Sequence, residues 1–308
     1  MSQHSSLNKS ILITGGSGLI GKLLTAAFLE KGYQVSHLSR KPGNNPQVKT
    51  YLWNIAKNEI DEHCIDGIDT IVHLAGAGIA DKRWTAERKR ELIESRTKSI
   101  GLIYKLIKSR PNKVSAVVSA SGVGYYSDSG DELMHEESPP NSDFMAQCCI
   151  AWEHAVDEGK SLSLRIVKFR TGVVLDKKGG ALSQMALPVK FGVGAAFGNG
   201  RQWIPWIHWQ DMIGMYLFGI DNIHLTGVYN MVAPNPVTNK QFMRAMAKQL
   251  FRPLWPLKVP AFVFKLLLGE MSIIVLGSTK VSAQKIENER FIFKYPDLPG
   301  ALKQIYGS

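Results

Sequence analysis

Cysteine is scarce in this chain of 308 residues: Cys64, Cys148 and Cys149 are the only three. Two adjacent thiols and one distant one build neither a disulfide framework nor a zinc site, so no metal is expected. Free thiols fit a reducing cytoplasm, which is the expected compartment. An apolar h-region is missing from Met1–Ser10, so no signal peptide is expected. The most apolar tract, Val259–Gly277, is broken by Lys265 and Glu270. It reads as helices packed on a core rather than a membrane span, and no membrane partner is expected. Acidic residues are in deficit, with 26 Asp and Glu against 37 Lys and Arg and a net charge of +11. Such a balance suits anionic ligands, either nucleic acid or the phosphates of a dinucleotide. The densest basic stretch, Lys82–Lys98, holds Glu87, Glu91 and Glu94 at helical spacing, which reads as a salt-bridged helix face. Neither a nucleic-acid motif nor an aromatic stacking series is present, so no nucleic acid is expected. Internal repeats and low-complexity segments are also absent, and the oligomeric state stays open.

What is present begins with Thr14-Gly15-Gly16-Ser17-Gly18-Leu19-Ile20-Gly21. The apolar run Ile11-Leu12-Ile13 precedes it, and Leu23-Leu24 and Ala27-Phe28 continue it at helical spacing. Strand, glycine turn and helix in that order form a dinucleotide-binding context. One glycine makes the tight turn, another admits a pyrophosphate close to the backbone, and Gly21 lets the helix pack on the sheet. The phosphate would rest on the positive helix N-terminus.

Strand signals recur at Ile11–Thr14, Tyr33–Leu38, Thr70–His73, Val114–Ser119 and Leu162–Phe169. Amphipathic segments at Gly18–Lys31, Ala86–Ser109 and Ser142–Glu158 alternate with most of them. This order implies an α/β fold, a Rossmann-like doubly wound parallel sheet with helices on both faces. After Gly172 the pattern becomes glycine loops around a helix at Ala181–Lys190, then helices at Ile207–Ile220, Thr238–Leu250 and Pro260–Leu268. The expected organisation is a Rossmann domain over residues 8–172 and a smaller, mostly helical lobe over 173–308. Some later segments would return to the sheet, and the ligand would lie in the crevice between lobes.

An NAD site usually places an acid after the second strand to bind the ribose hydroxyls. Here that strand runs into Ser39-Arg40-Lys41-Pro42, with two cations and no acid. The cations suit a 2′-phosphate, making NADP(H) the expected cofactor, with a solvated basic turn as the alternative. His73-Leu74-Ala75-Gly76-Ala77-Gly78 ends another strand in small residues, as passage beside the cofactor riboses requires, or simply as a glycine turn leaving the sheet.

These motifs resemble the extended short-chain dehydrogenase/reductases, the epimerase and dehydratase group. SRKPG, Glu94-Ser95-Arg96, SASGVGYY at Ser119–Tyr126 and Glu137-Ser138-Pro139-Pro140 are similar to an atypical branch. So are RTGVVL at Arg170–Leu175, PWIH at Pro205–His208 and KYPDL at Lys294–Leu298. That branch is the "epimerase family protein" group, with a C-terminal domain of unknown function. The resemblance implies NADP(H) contacts at Gly15, Gly18, Leu19, Ile20, Arg40, Lys41, Leu74 and Ala75, and also at Glu91, Arg96 and Val173. Gly21, Ser39 and Gly76 join them as neighbours in the same motifs. Arg96 stands where related dehydrogenases carry an asparagine; it brings charge toward the cleft or pairs with a nearby glutamate on an exposed helix face.

Related enzymes use a tyrosine as acid/base, a lysine four residues later, and a serine against the substrate oxygen. Ser121 takes the serine position, with Ser119 as the other candidate. Counting back from Glu153, Met145 stands in place of the tyrosine and Cys149 in place of the lysine. Neither Met nor a neutral thiol does that work, and Cys149 is expected to be a buried core residue. Substitute proton donors are Tyr125 and Tyr126, with aromatic core filling as the alternative for at least one of them, and His208, read as a structural hydrogen-bonder with Asp211 capping its helix. Trp203, Trp206 and Trp209 either line a pocket or fill the lobe interface. The expected function is an NADP(H)-binding oxidoreductase acting on a small carbonyl, hydroxyl or sugar-type substrate, with Ser121 and Tyr125 as catalytic candidates. The alternative is a non-catalytic NADP(H)-binding sensor or scaffold.

Overall fold

A computed structural model of the chain describes residues 9–307, so the expectation for Met1–Ser10 falls largely outside them. Eight strands form the main sheet: β1 (Ser10–Thr14), β2 (Gln34–Ser39), β3 (Lys49–Asn54), β4 (Glu59–Ile60), β5 (Thr70–His73), β6 (Ala116–Gly122), β7 (Arg165–Thr171) and β8 (Gly227–Met231). Their order is β8-β7-β6-β5-β1-β2-β3-β4. All neighbours run parallel except β4, which is antiparallel to β3. The longer helices are α1 (Leu19–Glu30), α2 (Ala86–Ser109), α3 (Phe144–Asp157), α4 (Gly180–Lys190), α5 (Trp209–Asp221), α6 (Asn239–Gln249), α7 (Ala261–Leu268) and α8 (Leu298–Tyr306).

The central strands are apolar on both faces, as a parallel sheet covered twice requires. Ile11, Ile13, Val72 and Val118 pack with Leu24 and Phe28 of α1 and with Met215 and Tyr216 of α5. Leu12, Ile71 and Val117 pack on the opposite side with Ile100 and Ile103 of α2 and with Trp152 and Val156 of α3. Strand order reverses between β1 and β5, the point beyond whose carboxyl ends sheets of this kind bind their ligands.

Two expected boundaries move. β7 starts at Arg165 rather than Leu162 because Glu158–Leu162 forms a 3₁₀ turn closed by Ser163 at φ 59°. α5 starts at Trp209, since Trp206–His208 pairs in parallel with Val173–Leu175. The strand supplied from beyond Gly172 is β8, beside β7. A separate apolar cluster joins α4, α6 and α8 through Leu182, Phe242, Met246 and Leu302. Of the Val259–Gly277 tract expected to pack on a core, Met271 and Ser272 are buried, but no residue of α7 is. A helix with apolar residues at all but one position can seat only one stripe, and α7 turns Phe264 and Leu268 toward the cleft while Phe262, Leu266 and Leu267 stay exposed.

Candidate cofactor and substrate site

The glycine turn is built by close approaches. Gly15 has φ +72°, and a Cβ there would lie 2.9 Å from the Leu74 carbonyl oxygen. A Cβ on Gly21 would overlap the backbone of Gly15 and Gly16, so only glycine lets α1 begin against the turn. Gly18 caps α1 in extended conformation with no side-chain hydrogen bond, leaving the first N–H groups without a side-chain partner. Leu19 packs toward Gly179 and Gly180, tying the turn to the later chain, and Ile20 packs on the sheet cluster.

Thr14 holds the next segment in place. Its Oγ1 accepts the N–H groups of Leu74 and Ala75, both at 3.1 Å, and stands 3.0 Å from His73 Nδ1. Burial pushes His73 down to about 4, so the ring is neutral and its Nδ1 accepts the hydrogen bond that the Thr14 hydroxyl donates. Gly76 lies directly on Arg96: a Cβ there would be 3.0 Å from the guanidinium carbon. Arg96 donates to the carbonyls of Leu92 (2.7 Å) and Ala77 (3.0 Å) and stacks 4.9 Å over Trp152. It is buried and has no carboxylate partner among the described residues, unlike the exposed, glutamate-paired alternative.

Beyond β2, Ser39 Oγ accepts the Lys41 N–H at 3.4 Å, and Arg40 and Lys41 are exposed. Glu91 receives Arg88 Nη1 at 2.7 Å; this bond holds its carboxyl below the usual range, with smaller contributions from Lys82 and Arg40. Arg40 and Glu91, distant in sequence, therefore share one electrostatic neighbourhood. An uncapped helix N-terminus, a glycine cradle that a Cβ would fill and two cations after β2 fit a phosphorylated dinucleotide.

Next to this cradle lies a cleft of about 830 Å³. Ser121, Val173 and Arg96 line it, and so do Met145, Cys149 and Trp152. Val173 donates its N–H to the Pro205 carbonyl at 2.7 Å, which fixes the chain exit from β7. Met145 and Cys149 close over the turn after β6: a Cβ on Gly124 would strike Met145 Cε and lie 3.6 Å from Cys149 Sγ. Burial pushes the Cys149 thiol up to about 12, so it is a packing residue and not a thiolate.

Ser121 is committed to a buried network. Its hydroxyl donates to Glu153 Oε1 at 2.8 Å. Arg170 meets the same carboxylate through Nε (2.8 Å) and Nη2 (3.0 Å), with Lys168 at 3.7 Å from Oε2. Nη1 of Arg170 donates to Tyr126 Oη at 2.9 Å, and Tyr126 donates to Asn230 Oδ1 at 2.7 Å. Tyr126 is the core-filling tyrosine, its hydroxyl pushed up to about 12 by burial. Tyr125 lies outside the cleft lining; the Arg170 guanidinium covers its ring at 3.4 Å. Of the two catalytic candidates, only Ser121 reaches the cleft.

His208 is structural. Its Nδ1 accepts the Gln210 N–H and caps α5, while Nε2 donates to Gln304 Oε1 at 2.8 Å. Burial pushes this ring down to about 4 as well. The expectation that Asp211 caps that helix is corrected: His208 is the cap, and the Asp211 carboxylate receives the N–H groups of Lys294 and Tyr295 instead. Trp203 lines the cleft, Trp206 is fully buried, and Trp209 packs between clusters.

Residues 11–231 match the NAD dependent epimerase/dehydratase family, and residues 259–305 match DUF1731, a domain of unknown function. The chain belongs to the NAD-dependent epimerase/dehydratase family. Within it, the chain is 35% identical over 298 residues to "Epimerase family protein YfhF" of Bacillus subtilis, covering 96% of this chain and 97% of that one. The human epimerase family protein SDR39U1 (isoform 2), solved with NADPH, superposes with a TM-score of 0.86 at 32% identity, over 96% of this chain and 99% of that one. A nucleoside-diphosphate sugar epimerase from Corynebacterium glutamicum reaches 0.79 at 30% identity, over 97% of this chain and 58% of its own length. Family membership agrees with the doubly wound sheet and helical C-terminal region. None of the helices among the described residues is long and apolar enough to cross a membrane.

Sequence reasoning missed Glu153 as a site residue, together with its partners Lys168 and Arg170. The signal was available: two cations at alternate positions of a buried strand require carboxylates on the helix that covers them.

Proposed function

We propose that the protein is an NADP(H)-dependent oxidoreductase of the extended short-chain type, acting on a small, largely apolar molecule that carries a hydroxyl or carbonyl. Residues 8–172 would hold the cofactor, and 173–308 would close over the substrate. The observation that carries the cofactor is the turn after β2, where Arg40 and Lys41 stand with no acid. The human relative solved with NADPH supports the same choice. Gly15, Gly18 and the start of α1 would take the pyrophosphate, Arg40 and Lys41 the 2′-phosphate, and Leu74–Gly76 with Val173 the path toward the cleft. When bound, the nicotinamide supplies or accepts the hydride.

Ser121 is the polar handle beside that path. Its proton is engaged by Glu153, and Glu153 is itself held by Arg170 and Lys168. Glu153 therefore orients Ser121, and the hydroxyl offers a ligand its lone pairs. That favours a substrate hydroxyl as hydrogen-bond donor; polarising a carbonyl would require the serine O–H to turn from Glu153.

A second reading has its own observation. The α3 residues that line the cleft, Met145, Cys148, Cys149 and Trp152, include no acid/base side chain of the Tyr/Lys kind, which suits a protein that binds NADP(H) without turnover. Absorbance of NADPH, followed with a panel of aldehydes, ketones and quinones, and of NADP⁺ with alcohols, separates the two. Turnover that Ser121→Ala abolishes supports the enzyme. Tight NADPH binding with no turnover on any substrate replaces it with the sensor.

A further inference from the structure

Exposed apolar side chains gather on one side of the C-terminal lobe. Phe191, Phe251, Leu257, Phe262, Leu266 and Leu267 are each at least 68% exposed. The segments that carry them are joined: Trp255 donates its backbone N–H to Gly194 and its indole N–H to Gly192, and Val259 donates to Ala196. Arg83 Nη2 reaches the Leu266 carbonyl at 3.5 Å and closes the patch on the α2 side. A soluble surface rarely leaves so many large apolar groups together without a partner.

Charge indicates the partner. No Asp or Glu occurs from Lys177 to Gln210 or from Asn222 to Gly269, and those two stretches hold ten lysines and arginines. Lys190, Arg252, Lys258 and Lys265 alternate along the chain with the exposed apolar residues and are themselves exposed. We propose that this face binds the surface of an anionic lipid bilayer, with the α7 side chains and Trp255 entering the headgroup region and the flanking cations meeting lipid phosphates. A second copy of the chain would oppose cation to cation across the contact. Nucleic acid would engage the aromatic rings but leave Leu257, Leu266 and Leu267 without a role. The inference is independent of the cofactor reading, and it revises the expectation of no membrane partner, which rested on the lack of a spanning segment.

Flotation of the full-length protein tests it with two vesicle compositions, pure phosphatidylcholine and a mixture with about 30% phosphatidylglycerol. The protein should float with the anionic vesicles at least ~tenfold more than with the neutral ones. Phe262→Glu with Leu266→Glu should lower that fraction by ~tenfold or more, and Lys258→Glu with Lys265→Glu should act on the anionic vesicles alone. All four side chains are exposed, so unchanged melting temperatures serve as the folding control. Failure to float with anionic vesicles overturns the proposal, as does flotation insensitive to the Phe262/Leu266 variant. Loss of a dimer in sedimentation velocity on the same substitutions would assign the face to a second copy. Single-stranded RNA bound more tightly than anionic vesicles would assign it to nucleic acid; either result overturns the lipid assignment.

Discussion

Removing the Glu153 carboxylate is the sharpest test of how the cleft wall is held. Arg170 is 3% exposed and Glu153 9%, and two N–H bonds of 2.8 and 3.0 Å join them. Glu153→Ala leaves a guanidinium buried without its counter-charge and leaves the Ser121 hydroxyl without its acceptor. Lys168 keeps Asp157 at 2.8 Å and is the lesser casualty. Breaking a buried pair from one side costs about 3–5 kcal/mol. At roughly 2–4 °C per kcal/mol for a chain of this size, the melting temperature should fall by about 6–20 °C. Glu153→Gln keeps the shape and an acceptor oxygen and should lose about half as much. Glu153→Leu with Arg170→Met removes both charges and should recover much of the loss relative to Glu153→Ala. Scanning calorimetry at pH 7.5 reads all three. A fall below about 2 °C for Glu153→Ala, or a double variant no better than the single, refutes the reasoning.

Two further outcomes follow from the same geometry. Arg40→Ala should weaken NADPH binding by about 10- to 100-fold, the worth of charge-assisted bonds to a phosphate, and leave NADH unchanged; titration by cofactor fluorescence checks it, and an unaltered NADPH preference removes the 2′-phosphate assignment. His73 and His208 titrate at about 4 in the fold against 6.5 when unfolded, so between those values the unfolded chain takes up protons that the fold refuses. Stability should therefore fall as pH drops from about 6.5 toward 4, by up to about 3 kcal/mol for each ring. Glu136 and Asp211, raised by burial, act in the opposite sense and soften the loss. Melting temperatures at pH 7.5, 6 and 5 check the direction, and His208→Asn, which retains a cap oxygen, should flatten the profile; no fall by pH 5 would contradict it.

The five central strands were legible because they are short, apolar and alternate with amphipathic helices; β3 and β4, which are polar at alternate positions or only two residues long, and β8, which returns from beyond Gly172, were not placed as strands. The glycine turn was legible for a related reason: Gly15 and Gly21 meet backbone, and no other residue satisfies that contact. The Ser121 environment was not. Lys168 and Arg170 lie two apart on β7, a separation of about 6.6 Å. Asp157 and Glu153 lie four apart on α3, about 6 Å. The two spacings agree, and Lys168 meets Asp157 as Arg170 meets Glu153. Reading that strand as ending at Phe169 left Arg170 outside it and hid this cationic alternation. The exposed face of α7 was illegible for a different reason, since hydropathy reports how apolar a segment is and not whether anything covers it.

Where the resemblance implies a Tyr/Lys pair, the cleft wall is packed as an apolar unit. Met145 and Cys149 pack against Gly122 and Gly124, so the turn after β6 and the facing side of α3 fit each other as an apolar joint. A lysine at 149 would place an ammonium where burial already drives a thiol to about 12, within the field of Arg96. Arg96 is itself buried, stacked on Trp152 and bound to the Ala77 carbonyl. The positive charge of this cleft therefore comes from α2 beneath the Gly76 turn, and α3 carries none into it. A charge can be moved in this way because its field acts over several ångströms. A proton donor cannot, since it must touch the atom it protonates. Among the side chains that line the cleft, Arg96 supplies the positive charge, and Met145, Cys148, Cys149 and Trp152 give α3 no acid/base group there.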